Sequence, residues 1–452
     1  MREQAEGKEY AVCAGVDWAT DKHDVAVVGP NRKLLKHRQF EHSSQGLAEM
    51  ANWLVEMAGG DPSRLAVGIE LTRGAVVETL LARGIDVFAI NPKQSDRFRD
   101  RYSVPGSKND ELDSVVIADC LWTDRHLYRQ LSVDPADAVE LRGVVRTDGQ
   151  ISEDLTRLGS QLRALLSQYF VQVLDIAAID DKWMWELLQR APTPATMRQL
   201  KKSTITAILK KHRIRRIDAD GVKAALAAPD MTVAPGVWES VAYQVRVLVE
   251  TLTFRSAQRR AGERRMAAIL ERMATPPVKA GSARAEGQSG SVTTAVPAAA
   301  TAVDSQQHAE PERPSDATIL LSVPGLGLHC AATFMSEAAG PLAERNYPAL
   351  RALAGVAPVT KQSGRKEYVV RRLACNNRLR NAVHHFASNS ARHDPRSAEF
   401  LKRKVKEGCE YNRALRGLGD RLLKMIIAML ESGAVYDPAR RGVPPREVEA
   451  AA

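Results

Sequence analysis

Residues 275–317 run from TPPVKAGSARAEGQSGS to AEPERPSDA and hold almost no large apolar side chain. A stretch this long with so little to bury cannot offset the entropy of ordering its backbone. It reads as a flexible Ala/Pro/Ser-rich linker, so the chain folds as separately cored pieces on either side. With 452 residues there is room for two or three such pieces.

The N-terminal piece alternates short apolar runs with amphipathic ones. YAVCAGV at 10–16 and DVAVV at 24–28 read as strands joined by a tight polar turn, and LLKHRQFE at 34–41 as a third. Leu47, Met50, Ala51 and Leu54 are spaced for one face of a helix over about 44–58. LAVGIE at 65–70 is the next strand, TRGAVVETLLARG a helix closed by Gly84, and IDVFAINP a strand stopped by Pro92. Strands alternating with helices predict an α/β domain with a mixed sheet.

Four carboxylates in this piece point to chemistry. Asp17 interrupts an apolar strand, where an unpartnered carboxylate costs several kcal/mol. Glu70 ends a later strand, and PGSKNDELDSVVIADCLW starts a helix near Asn109 or Asp110 with Asp110, Asp113, Ile117 and Leu121 on one face. Two acids three residues apart on a helix repel unless a cation neutralises them. Asp17, Glu70, Asp110 and Asp113 are therefore candidate ligands for two Mg²⁺ ions roughly 3.5–4 Å apart, with Mn²⁺ able to substitute. The structural alternative makes Asp110 and Glu111 a helix cap and Asp113 a solvated first-turn acid. Lys93, Arg97, Arg99, Arg101 and Lys108 lie in the segment between and suit phosphate contact or a plain soluble face.

From 151 onward Ile151, Leu155, Leu158, Leu162, Leu165, Tyr169 and Val173 form a heptad seam, and Val241, Val245, Leu248 and Leu252 form a second. Two such helices predict an antiparallel coiled-coil arm that either oligomerises or packs within the chain. Between them eight Lys or Arg from 198 to 216, with no acid, form a local patch. Lys201, Lys202, Lys210, Lys211, Arg213, Arg215 and Arg216 are its candidate nucleic-acid contacts.

Past the linker, SVPGLGLHCAATFM offers a Pro-Gly-x-Gly turn like that of a helix-hairpin-helix, with Gly325 and Gly327 as backbone contacts to phosphate. Arg351–Arg416 carries 16 Lys or Arg against 5 Asp or Glu, and so holds most of the positive excess of a chain whose formal charge is +10. Clustering of that kind favours nucleic acid. Here Lys361, Arg365, Lys366, Arg371, Arg372 and Arg378 surround Ser363 in KQSGR. Ser363 is either an activated nucleophile or a phosphate contact in a Gly turn. Five cysteines without CxxC spacing suggest reduced thiols and no zinc site, and no apolar run is long enough for a membrane span, so a cytoplasmic protein is expected.

GVDWATDKHDVAVV, AVGIE, SKNDELDSVVIADCL, SVPGLG, LRALAGVAPVTKQSGR and RRLACNNRLRNAVHHFA together resemble the DEDD-type transposases of the insertion-sequence 110 group. The resemblance covers about 10–150 and 318–390, in order. It implies an RNase H-like (RuvC-like) N-terminal domain, a helical arm, and a mainly helical C-terminal domain bearing the serine. It places Asp17, Glu70, Asp110 and Asp113 as the DEDD carboxylates and Ser363 as the serine that becomes covalently linked to cleaved DNA. It further implies a homodimer or homotetramer with composite sites, double-stranded DNA as substrate, and a structured non-coding guide RNA. In RRLACNNRLRNA, Asn376 stands where the family often has glycine. The expected division is a tail at 1–9, the catalytic domain at 10–150, the arm at 151–274, the linker at 275–317, the serine domain at 318–430 and a tail at 431–452. Rival functions are a Holliday-junction or other structure-specific endonuclease using water, an actin-like kinase, for which no glycine-rich nucleotide loop is found, and a non-catalytic nucleic-acid scaffold.

Overall fold

The computed structural model describes residues 8–101, 110–275, 313–364 and 366–439, and only the backbone of Asp110 and Ser363. The expected linker lies almost wholly outside the described residues. The chain divides into two compact units, residues 1–134 and 135–452.

In the first unit, β1 (Val12–Trp18), β2 (Lys22–Val28) and β3 (Leu34–Glu41) are successive antiparallel strands, followed by α1 (Ser44–Met57). Next come β4 (Leu65–Ile69), α2 (Ala75–Ala82), β5 (Asp86–Ala89), α3 (Pro92–Arg99), α4 (Asp110–Asp124) and β6 (Arg129–Gln130). The sheet order is β3-β2-β1-β4-β5-β6, with β4 parallel to β1 and β5 parallel to β4. This is the mixed α/β domain that the alternating pattern predicts. The segment PKQSDRFR, basic in composition, is a helix. Pro92 stands at its first position, and Asn91 Oδ1 caps it by accepting the Lys93 N–H at 2.9 Å.

Side chains alternate across β1. Val12, Ala14 and Val16 join α1 and α2 in one core, while Cys13 faces Val116, Ile117 and Cys120 of α4 in another. Gly15 and Gly68 are neighbours in the parallel register of β1 and β4, and both face α4. A Cβ on Gly15 would lie 2.1 Å from the Ser114 carbonyl oxygen and 2.5 Å from the Ala118 nitrogen. One on Gly68 would meet Ile90 Cδ1 at 2.7 Å and Ile117 Cγ2 at 3.1 Å. The glycine pair is thus a seat on which α4 lies close to the sheet. At the far side of α4, buried Asp119 receives Arg32 through both carboxylate oxygens.

In the second unit, α5 (Ala136–Tyr169) and α11 (Val237–Ala274) are long antiparallel helices. Position 150, expected to end a domain, lies inside α5, because the helical pattern begins just after Pro135. Between the two run α6 (Gln172–Ile176), α7 (Lys182–Arg190), α8 (Pro194–Gln199), α9 (Lys202–Lys211) and α10 (Ala219–Ala225). Leu158, Leu162, Leu166 and Val173 are buried together with Val241, Val245, Val249 and Leu252 and with side chains of α7–α10. The heptad seam is therefore covered within the chain, the second of the two outcomes expected for it.

The rest is mainly helical: α12 (Asp316–Leu321), α13 (Leu328–Glu337), α14 (Ala339–Ala343), α15 (Tyr347–Leu353), α16 (Asn377–His393), α17 (Pro395–Lys406) and α18 (Tyr411–Ser432). A hairpin of β7 (Val359–Ser363) and β8 (Lys366–Val370) interrupts them, which the basic content of the segment concealed. Helix α13 docks on the other end of the long pair. Arg146 reaches both Glu337 oxygens, at 2.6 and 2.9 Å, and Arg142 Nη2 donates to the Ser336 carbonyl at 2.7 Å. Asn376 Nδ2 donates to Glu337 Oε2 at 2.8 Å while its Oδ1 caps α16, so an amide side chain at this position has two structural tasks. Burial opposes ionisation of Glu337, but Arg146 and Asn376 outweigh it and hold the carboxyl below its usual range. All five cysteines are free thiols, and among the described residues no helix is long and apolar enough to cross a membrane.

Gly15→Ala is expected to cost about 3 kcal/mol or more, because its Cβ meets backbone, and Gly68→Ala about 1–2 kcal/mol, because side chains can give way. Urea unfolding of the two variants checks the order, and a milder effect at Gly15 would contradict the seat.

His329 on α13 places Nδ1 3.3 Å from Asp148 Oδ2 and Nε2 3.3 Å from Glu263 Oε1, with Arg259 beside both acids. The hydrogen bond with Asp148 raises the imidazole pKa above 6.5, against the opposing effects of burial and Arg259. A raised folded-state value gives stability that is complete below the unfolded pKa of about 6.5 and is lost as pH rises through the folded value. The wild-type melting temperature should therefore fall relative to His329→Gln as pH is raised from about 6 to about 9, and parallel curves would rule this out.

Candidate active site

Strand register brings the carboxylates together. Val16 pairs with Ile69 in the last rung between β1 and β4, so Asp17 and Glu70 follow side by side at the carboxyl ends of two parallel strands. Asp17 lies two residues after Gly15 and Glu70 two after Gly68, so both belong to the face on which α4 lies. Asp113 stands one turn before Ile117, the residue that packs on Gly68. Asp17, Glu70 and Asp113 line one cleft of about 280 Å³ with Pro92, Ser95, Asp96, Arg99, Val116 and Ile117. It opens at the carboxyl ends of the strands, the usual ligand side of an open α/β sheet.

The solvated-acid alternative for Asp113 fails, since its side chain is 7% exposed. Arg99 Nε lies 2.8 Å from Asp113 Oδ1, but off the axis of an aligned hydrogen bond, and both atoms are buried. Ser95 Oγ donates to Glu70 Oε1 and also lies 2.9 Å from the Pro92 carbonyl oxygen. Glu70 and Asp17 are half-buried, and Asp17 has polar partners of its own. The side chain of Asp110 lies outside the described residues; its backbone opens α4, one turn before Asp113 and Ser114.

An all-carboxylate donor set suits a hard divalent cation. The Asp113 oxygen beside Arg99 is buried and accepts no aligned hydrogen bond. Among the described residues, however, no group of three His, Cys, Asp or Glu is gathered closely enough to hold a metal. The donor chemistry fits, while Arg99 and Ser95 stand on two of the donors. Arg99 is among the cations that the sequence places near the carboxylates, though as a phosphate contact rather than a partner of Asp113, and Ser95 does not stand out.

Ser363 closes the β7–β8 hairpin, its backbone paired with Lys366, and Gly364 at φ 58° makes the turn in the left-handed region. Lys361, Lys366, Arg371 and Arg378 are exposed around it, Arg372 is half-buried, and Arg365 lies outside the described residues. In the middle segment, Lys202 pairs with Asp220, Lys211 with Glu186 and Arg216 with Asp181, so these three are partly neutralised. Lys201, Lys210, Arg213 and Arg215 are exposed and form no ion pair with a described residue. Gly325 has φ 87°, and a Cβ there would lie 2.5 Å from the Ser390 nitrogen. Its smallness serves the packing of the turn on α16. Gly327, exposed at the start of α13, meets nothing within 4 Å.

Residues 14–171 match the family profile described as a transposase of the IS110 DEDD type, and residues 317–402 match the transposase IS116/IS110/IS902 family. A Sinorhizobium fredii protein named as a transposase, y4uE, is 40% identical over 48% of this chain, and the match spans 62% of that protein's length. The Streptomyces coelicolor protein named as the mini-circle transposase for IS117 is 27% identical over 96% of this chain and 97% of its own. An insertion element IS900 protein of Mycobacterium paratuberculosis is 25% identical over 95% and 98%. With both profiles matched in order and cleft and hairpin residues inside them, the chain belongs to the DEDD-type transposases of the IS110 family.

Proposed function

We propose that the chain cuts and rejoins the DNA of an insertion sequence, with a divalent metal held by Asp17, Glu70, Asp110 and Asp113 and with Ser363 as nucleophile. The observation that carries this is the register that sets Asp17 beside Glu70, on the face where α4 presents Asp113. The order of the mixed sheet supports an RNase H-like reading of the first unit. When bound there, Mg²⁺ or Mn²⁺ supplies Lewis-acid stabilisation of charge on the phosphoryl oxygens.

The remaining work belongs to the chain's own groups. Ser363 Oγ forms a bond to phosphorus as one phosphorus–oxygen ester bond to the sugar breaks. The serine proton leaves and the departing sugar oxygen gains one, so the step is proton-neutral. The phosphodiester is preserved as a phosphoserine, which a sugar hydroxyl of another strand can attack to rejoin DNA. Lys361 and Lys366 lie on the same hairpin and offset phosphate charge. The exposed cations of the second unit dock nucleic-acid backbone without reading bases, which suits a partner RNA that selects DNA by pairing. The seam of α5 is covered within the chain, so a homodimer or homotetramer would use another surface.

Incubation with element-end DNA and cognate RNA should leave a protein–DNA adduct that survives denaturation. Ser363→Ala should abolish it, and Asp110→Asn should lower cleavage by about 10²-fold or more while leaving DNA binding measurable. Full activity in Ser363→Ala would return the chain to a water-using endonuclease.

Replacing Lys201, Lys210, Arg213 and Arg215 together by Ala should weaken binding to unrelated sequences alike. It should also flatten the slope of log K against log salt by about one for each phosphate that no longer meets a cation. Replacing Lys202, Lys211 and Arg216, whose charges are partly neutralised, should act less on binding and on the salt slope. Equal salt slopes for the quadruple and triple variants would reject that division.

A further inference from the structure

One face of α3 carries two side chains that engage two of the cleft carboxylates. Ser95 donates to Glu70, and Arg99 lies against Asp113. On α4 itself a contrasting pair is fully engaged: Arg32 grips buried Asp119 with two hydrogen bonds. The nearest contact of Arg99 with Asp113 is Nε to Oδ1, at 2.8 Å and out of line, and that buried oxygen accepts no aligned hydrogen bond. A lone, misaligned guanidinium neutralises a buried carboxylate without saturating it. Arg99 Nη1 also lies 3.5 Å from Asp96 Oδ1 on the exposed rim of the same cleft, so a second acid already stands beside the guanidinium.

We propose that Arg99 is the built-in counter-ion of the carboxylate cleft. Its guanidinium neutralises Asp113 while no metal is bound, a divalent cation must displace it to reach that carboxylate, and the displaced group swings toward Asp96 at the cleft mouth. There it is placed to meet a phosphate, so that metal entry and phosphate capture are linked through one side chain. The inference rests on the reading of the carboxylates as a metal site, and its test separates the two.

Mn²⁺ binding to the full chain, followed by the electron paramagnetic resonance of free Mn²⁺, is compared for wild type, Arg99→Met, Arg99→Lys and Asp113→Asn. Removing a competing cation should tighten Mn²⁺ binding in Arg99→Met by about tenfold. Arg99→Lys, which keeps the charge, should stay near wild type, and Asp113→Asn should bind weakly. In chelator the Arg99→Met melting temperature should fall, and Mn²⁺ should raise it by more than it raises that of wild type. Should Arg99→Met not fold, Arg99→Gln removes the same charge with a polar group retained and carries the same expectation. Unchanged or weaker Mn²⁺ binding in the neutral variants, with wild-type binding intact and Asp113-dependent, overturns the counter-ion role and leaves the metal site standing. Mn²⁺ binding absent from wild type and neutral variants alike, or indifferent to Asp113→Asn, overturns the metal site and this inference with it.

Discussion

The close approach of α4 to the sheet at Gly15 and Gly68 sets the geometry of the whole first unit. Two glycines side by side in parallel register leave a shallow seat with no Cβ atoms, and backbone atoms of Ser114 and Ala118 come into it. Distances along the chain then follow from the two periods of regular structure. Two residues beyond the glycines, the same faces of β1 and β4 carry Asp17 and Glu70. One turn before Ile117, the same face of α4 carries Asp113. A larger residue at the seat would lift the helix and separate the carboxylates. The seat explains why small residues and acids recur at fixed spacing in AGVDW and VGIE, where a strand core alone would favour large apolar side chains.

The second unit relies on a different device. Its two long helices hold an apolar seam at one end and arginine–carboxylate pairs at the other, where Arg272 reaches Asp137 and Glu140. The base of this pair reaches the serine hairpin through Arg146, Glu337 and Asn376, the last of which begins α16 soon after β8. On the other side of the hairpin, α15 is tied to α18 by Arg351 and Tyr347 on Asp420. An exposed two-stranded ribbon has little core of its own, so the hairpin relies on the anchored helices that flank it in the chain.

Most of the first unit is legible in sequence because its strands and helices bury one face each, and burial writes a period into the chain. Asp17 and Glu70 are visible as acids where that period calls for apolar groups. Helix α3 is not, since PKQSDRFR is almost wholly polar and buries chiefly Phe98 and Ser95. Strand β6 has only two residues, too few to show any alternation. The lysines of the hairpin at 359–370 hide its strands. The heptad seam of α5 is readable, but its partner is not: a stripe records that something covers it, and α11 begins only at Val237, far along the chain from the end of α5 at Tyr169.

Charge gives the sharpest case of information that sequence holds only in part. Eight cations between 198 and 216 look like one surface when neighbours alone are counted. Folding brings Glu186 from α7 to Lys211, Asp230 from beyond α10 to Arg198, and Asp181 to Arg216. These acids lie 25 to 35 positions away in the chain, outside any local window. A pair at the surface contributes little to stability, yet it cancels most of the long-range field of its cation. What a polyanion meets is therefore the remainder, the cations that folding leaves without an acid. Among the described residues from Arg351 to Arg416, only Arg351, Arg403 and Lys404 of the cations form ion pairs, so a larger share of the positive charge there survives folding. Much of the positive charge left unpaired by folding accordingly lies in the segment that carries the residue proposed to attack DNA.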